Sequence, residues 1–147
     1  MIIQDFYIPQ YDWHVRVYYA VTTYWADDII RDLRRIGCAG NTLRRAYENL
    51  EKGDLNTGLT YSNNGESVMV ISKTSTPSQF LNSFLHEMRH LSRHIEQSCG
   101  ISPYGEEAAY LAGDIAQRMF PIAQKFICQH CRDELYKKFQ YKFSRGF

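Results

Sequence analysis

Five consecutive residues in the middle of the chain have the types and spacing that metal-assisted hydrolysis needs. They read His86-Glu87-Met88-Arg89-His90, which is the H-E-x-x-H pattern. Histidines four positions apart lie on one face of an α-helix, about one turn apart, so their imidazole nitrogens could reach the same metal ion. Glu87 lies between them and could accept a proton from a metal-bound water. The pattern therefore predicts a zinc site at His86 and His90, with Glu87 as the general base.

The residues around this motif predict the helix that the spacing requires. Thr76 is a favourable N-cap, Pro77 fits the first helical position, and Gln79 completes a capping box. The helix should extend to about Gln97, with Gly100 as its terminator. On a helical wheel the apolar side chains fall in one sector and the two histidines fall outside it. We therefore expect this helix to bury one face and to present the histidine pair to a cleft.

A catalytic zinc usually has three protein ligands and a water, so a third ligand is expected elsewhere in the chain. The next helix begins near Gly105 with Glu106 and Glu107 in its first turn. Glu106 lies on the face opposite the apolar stripe of that helix, which makes it the preferred ligand, and Glu107 is the alternative. His94 is better interpreted as a solvated residue or a neighbour of the site than as a ligand, because the helical rise from His86 to His94 is about 12 Å, too far for one ion.

Strand signals occupy the N-terminal third and the middle of the chain. Residues 2–8 are strand-like, and residues 15–21 alternate between apolar and polar side chains. Asn64-Gly65 is a hairpin signal between the apolar runs 59–61 and 68–71. Strands first and helices later predict an α+β domain. A small, mostly antiparallel sheet should pack on one side against the helices, including the motif helix.

Length and composition fit a single domain, residues 1–147. The chain has 17 Lys+Arg, 16 Asp+Glu and 44% hydrophobic residues, which is enough to bury one core. A formal charge of +1 does not favour nonspecific binding to nucleic acid, and the arginine and lysine clusters are expected to be solvated helix faces. No apolar run approaches the ~20 residues of a membrane span, and the first residues do not resemble a signal peptide. We therefore expect a cytoplasmic protein without nucleic-acid or membrane partners.

The four cysteines, Cys38, Cys99, Cys128 and Cys131, are expected to be thiols in that setting. Residues 128–131 form a single C-x-x-C pattern, and a structural zinc site needs about four ligands. Ordinary, partly buried thiols are therefore the favoured interpretation, and a structural or redox role is the alternative.

The motif and the glutamates that follow it resemble the gluzincins, a group of the zincin-like metallopeptidase superfamily. In gluzincins H-E-x-x-H is followed by a glutamate ligand on a later helix, often within E-x-x-A, and Glu106-Glu107-Ala108-Ala109 matches that pattern. Residues 86–113 are also similar to small gluzincin-like proteins of phages and bacterial mobile elements. The resemblance covers roughly residues 57–118. It implies a zincin-like fold in which the strand before the motif helix, here Val68 to Ile71, lines the cleft and pairs with an extended substrate.

The activity that this resemblance implies is zinc-dependent hydrolysis of a peptide or related amide bond in a peptide or protein substrate. Zn²⁺ would be held by His86, His90 and Glu106, with no other cofactor. Glu87 would take a proton from water and deliver it to the leaving amine. The candidate donors to the oxyanion are Tyr104, Tyr110 and His94. The alternatives are a zincin-like domain that binds zinc without hydrolysis, and an interaction module of a phage or mobile element in which the motif is accidental or decayed.

Overall fold

The computed structural model describes residues 2–53 and 56–144, and for residues 139–144 it describes the backbone alone. This part of the chain forms a four-stranded sheet and five α-helices. In chain order the elements are β1 (Ile2–Ile8), β2 (Trp13–Val21), α1 (Ala26–Arg35), α2 (Gly40–Lys52), β3 (Gly58–Asn63), β4 (Glu66–Ser72), α3 (Pro77–Cys99), α4 (Glu106–Ile127) and α5 (Gln129–Ser144). No helix of the described residues is long and apolar enough to cross a membrane.

The sheet has the strand order β1-β2-β4-β3 and is mixed. β1 pairs with β2 and β3 pairs with β4 in antiparallel fashion, whereas β2 and β4 are parallel. The β3–β4 hairpin turns at Asn64-Gly65, where both residues have positive φ, so the predicted hairpin is confirmed. A parallel pair needs a crossover, and here α1 and α2 form it. The predicted α+β class and mostly antiparallel sheet are confirmed at this coarse level.

Helices cover both faces of the sheet, so the expectation of helices on one side was wrong. Val68 and Val70 of β4 belong to a core cluster with α1 and α2, whereas Met69 and Ile71 belong to a second cluster with α3 and α4. The reason is that β4 is a central strand, and consecutive apolar residues in such a strand point alternately into two buried layers. The site described below lies on the α3 side.

The motif helix α3 begins and ends as its local sequence predicts. The hydroxyl of Thr76 accepts a hydrogen bond from the backbone N–H of Gln79 at 3.2 Å, and the side chain of Gln79 accepts one from the N–H of Ser75. Pro77 occupies the first helical position, and Gly100 closes the helix in the left-handed conformation. These caps fix the ends of the helix that carries His86 to His90.

α3 and α4 form an antiparallel hairpin. Phe80, near the start of α3, stacks on Phe126, near the end of α4, with ring centroids 4.9 Å apart. Tyr19 of β2 stacks on Phe126 with a centroid distance of 5.8 Å, so the aromatic cluster also joins the helix pair to the sheet. This contact sets the register of α4 against α3, which decides which residues of α4 lie level with the histidines.

Candidate metal centre

His86 and His90 lie one turn apart on α3 with their Nε2 atoms 3.2 Å apart. Two nitrogens bound to the same tetrahedral zinc, each about 2.0–2.1 Å from the ion, are separated by roughly 3.3 Å. About half of the side-chain surface of His86 is exposed, so an ion can reach the pair from solvent. The two imidazoles therefore fit two positions of a tetrahedral zinc site without a change of the helix.

Glu87 is buried between α3 and the edge strand β3, with 1% of its surface exposed. The hydroxyl of Thr57 donates to its Oε2 at 2.8 Å, and the hydroxyl of Thr60 donates to its Oε1 at 3.0 Å. Oε2 lies 3.9 Å from Nε2 of His86. The carboxylate is therefore held beside the histidine pair by two hydrogen bonds, and each of its oxygens keeps a further lone pair.

Gly58 allows β3 to lie against both β4 and Glu87. A Cβ atom at this position would lie 1.8 Å from the carbonyl oxygen of Val70 and 3.3 Å from Cγ of Glu87, and its φ is +147°. Only glycine fits such a close approach of two backbones. The sequence pattern did not indicate Thr57, Gly58 or Thr60, and the glycine at the start of a strand is the one signal that could have done so.

Glu106, the predicted third ligand, is not brought to the histidine pair. Among the described residues no group of three or more His, Cys, Asp or Glu side chains is arranged to hold a metal ion. If α3 and α4 are taken as ideal antiparallel helices with Phe80 level with Phe126, Glu106 lies level with Gly100, about ten residues or roughly 15 Å along the axis from His90. Its side chain is exposed at the start of α4.

The other residues at this end of α4 also lie away from the pair. Glu107, the alternative ligand, accepts a hydrogen bond from the hydroxyl of Tyr11 at 3.0 Å, on the side of α4 that faces the β1–β2 connection. Tyr104 and Tyr110, two of the candidate oxyanion donors, are largely exposed near the same helix start. The structure thus brings together His86, His90 and Glu87, and leaves the residues of the first turn of α4 apart from them.

Val68 to Ile71, predicted to pair with substrate, cannot do so in this sheet. β4 pairs with β2 along one edge and with β3 along the other, and these four residues are fully buried. The strand that borders the site is instead β3, which pairs with β4 alone among the described strands. The parallel β2–β4 pairing makes β4 a central strand, so neither of its edges can take up a substrate.

His94 ends a chain of hydrogen bonds that begins in the sheet. The indole N–H of Trp13 donates to the hydroxyl of Ser67 at 2.8 Å, the hydroxyls of Ser67 and Ser62 are 2.6 Å apart, and Ser62 Oγ lies 2.7 Å from Nδ1 of His94. Since the indole can only donate, the direction that uses every hydroxyl proton makes Nδ1 of His94 an acceptor. Burial, and secondarily the nearby His90, lower the pKa of His94.

We expect the lowered pKa of His94 to make the stability of the fold depend on pH. Its pKa lies below the usual 6.5, so the unfolded chain takes up a proton first as the pH falls. Stability should therefore decrease as the pH falls below about 6.5, towards the lower pKa of the folded state. Urea unfolding at pH 7.5 and 5.5, with a chelator present, measures the effect. His94→Gln should show a smaller loss between these pH values, and an equal loss would contradict the assignment.

The described chain therefore places two imidazoles and one buried carboxylate on α3, beside the free edge of β3. Comparisons with protein-family models, with characterised proteins and with solved structures found no match to this chain.

Proposed function

We propose that this chain is a zincin-like, zinc-dependent metallopeptidase of the gluzincin type, acting on a peptide or protein substrate. The observation that carries the proposal is the 3.2 Å separation of the Nε2 atoms of His86 and His90, next to the Glu87 carboxylate. That separation suits two nitrogen ligands of a tetrahedral ion. The carboxylate position suits a base that serves a water on the same ion.

In this proposal two histidines bind the metal and one glutamate transfers the proton. His86 and His90 would hold the metal, and when bound a zinc ion would supply a Lewis acid that polarises the scissile carbonyl and acidifies water. Glu87 would accept the proton of the attacking water and later deliver it to the leaving amine. Thr57 and Thr60 would keep the carboxylate oriented, because each donates a hydrogen bond to one of its oxygens.

In this proposal the third metal ligand would come from the first turn of α4. Glu106 is the proposed residue and Glu107 the alternative, as the sequence pattern indicates. Either would require this turn to approach His90 closely, whereas the Phe80–Phe126 contact and the ideal helix rise together put Glu106 roughly 15 Å along the axis from His90. The substrate would lie along β3, whose outer edge borders the histidine face of α3.

A second candidate function is zinc binding without hydrolysis, in an interaction domain of the phage or mobile-element type. One observation favours it: the Glu87 carboxylate is already bound by two threonine hydroxyls, and 1% of its surface is exposed. Both candidates require zinc, and hydrolysis separates them.

The first experiment is a metal determination on the purified chain after loading with zinc and removal of the excess. We expect about one zinc per chain, since the histidine pair is preformed. His90→Ala should bind little or none, whereas His94→Ala should bind as the wild type does, because His94 is bonded to Ser62. A wild-type chain without zinc would overturn both candidates.

Two further variants identify the third ligand in the same assay. Glu106→Gln should weaken zinc binding by at least about tenfold if Glu106 is a ligand, and Glu107→Gln should not. Zinc-loaded protein is then incubated with a peptide library and the products are read by mass spectrometry. Cleavage supports the metallopeptidase, and bound zinc without any cleavage supports the binding domain.

A further inference from the structure

Cys128 and Cys131 meet at the junction between α4 and α5. Cys128 has an extended backbone, and its carbonyl accepts a hydrogen bond from the N–H of Arg132 at 2.9 Å, so it occupies the N-cap position of α5. Cys131 lies three residues further on, in the first turn, which puts both side chains on one side of the helix. Both are exposed to solvent.

The two thiols are not equivalent. Two hydrogen bonds to the sulfur of Cys128 lower its pKa. The larger effect comes from the backbone N–H of Cys131, and the smaller one comes from the thiol of Cys131. The same thiol contact raises the pKa of Cys131. A thiolate is the nucleophile in thiol chemistry, and helix N-termini and C-x-x-C pairs favour it. Cys128 thus has the surroundings of an attacking thiol, and Cys131 those of the thiol that resolves the product.

The remaining cysteines lack these features. Cys38 is buried, and burial raises its pKa. Cys99 is exposed at the end of α3 without a described disulfide partner. The first turn of α5 is also anchored, because the buried Arg132 donates to the hydroxyl of Thr74 at 3.1 Å and lies over the ring of Tyr136. The dithiol can therefore react at the surface while the helix that carries it stays attached to the core.

We propose that Cys128 and Cys131 form a redox-active dithiol that exchanges with disulfides, separate from the metal centre. The oxidant is a low-molecular-weight or protein disulfide. The Cys128 thiolate attacks one sulfur of that disulfide, forming a mixed disulfide and releasing one thiolate. Cys131 then attacks the Cys128 sulfur, forms the Cys128–Cys131 bond and releases the second thiolate. The dithiol loses two electrons, and its two protons end on the two released thiols.

Glutathione disulfide tests this proposal on the reduced chain of residues 1–147, with a chelator present so that no metal masks the thiols. Mass spectrometry should show that the wild type loses two hydrogens, with the new bond mapped to Cys128 and Cys131. Cys131→Ser should accumulate one glutathione adduct at Cys128, because no second thiol resolves it. Cys128→Ser should react at least about tenfold more slowly at Cys131. Cys99→Ser is the control and should behave as the wild type does.

Two results would overturn the proposal. One is the formation of glutathione adducts on separate cysteines of the wild-type chain, without the Cys128–Cys131 disulfide. The other is an equal rate of adduct formation in Cys128→Ser and Cys131→Ser, which would show that the helix start gives Cys128 no advantage. Neither result bears on zinc binding by α3, so this test is independent of the proposed hydrolysis.

Discussion

Replacing Glu87 with Gln should reduce amide hydrolysis by about 10²–10⁴-fold in kcat while zinc stays bound. Gln has nearly the same shape, and its amide can keep hydrogen bonds to Thr57 and Thr60, so the local fold should persist. It cannot take a proton from water, which is the role proposed for Glu87. The measurement pairs kcat, on a peptide that the library identifies as cleaved, with zinc content and the circular dichroism spectrum.

The matched control for this variant is Glu96→Gln, the same isosteric change at another buried glutamate of α3. Glu96 is fully buried about 9 Å along the helix axis from His90, and it pairs with Arg89 at 3.1 Å and with Arg93 at 3.6 Å. We expect this variant to keep zinc and hydrolysis, even though it loses the ion pairs with Arg89 and Arg93. Hydrolysis by Glu87→Gln at close to the wild-type rate would contradict the assignment of Glu87 as the base.

Gly58→Ala should destabilise the fold by about 3 kcal/mol or more, one of the largest effects expected from adding a single methyl group. The added Cβ would meet the Val70 carbonyl oxygen at 1.8 Å, and a φ of +147° disfavours any side chain. β3 would have to move away from β4, and with it the threonines that hold Glu87. Thermal unfolding should show a Tm lower by roughly 6–12 °C.

Gly113→Ala is the control, because it makes the same chemical change in the opposite context. Gly113 lies inside α4, and a Cβ there would meet no atom within 4 Å. Alanine is the better helix former, so this variant should gain about 0.5–1 kcal/mol. If Gly58→Ala unfolds at the wild-type temperature, the close approach of β3 and β4 is wrong.

The parts of the site that could be predicted are those that local rules decide. The caps Thr76 and Gly100 define α3, and helical spacing alone places His86 and His90 side by side. The third ligand could not be placed in this way, because the position of Glu106 depends on how α4 is registered against α3. Stacking of Phe80 on Phe126 sets that register, and a single sequence contains no signal for such a contact between distant residues.

The packing of helices on both faces of the sheet could have been predicted in part from the sequence. Val68 to Ile71 are four consecutive apolar residues, which is typical of a strand buried on both faces rather than of a strand at the edge of a cleft. That run could have indicated a central strand with helices on both sides. No comparable pattern in the sequence indicates the two hydroxyls that bind Glu87. Threonine is common in strands and in the residues just before them, so Thr57 and Thr60 do not stand out.

The described side chains of the metal centre all come from one contiguous stretch, residues 57–90. The central strand pair is different, since it joins His14 to Glu66 across the whole crossover. The contacts of Thr57 and Thr60 with Glu87 join residues 30 and 27 positions apart, whereas His14 and Glu66 are 66 − 14 = 52 positions apart. The entropy lost on closing a loop grows slowly with its length, so the metal centre closes the shorter loops. The histidines and Glu87 thus depend on one stretch of chain for their mutual positions, and on β1, β2 and α4 mainly for the core beneath them.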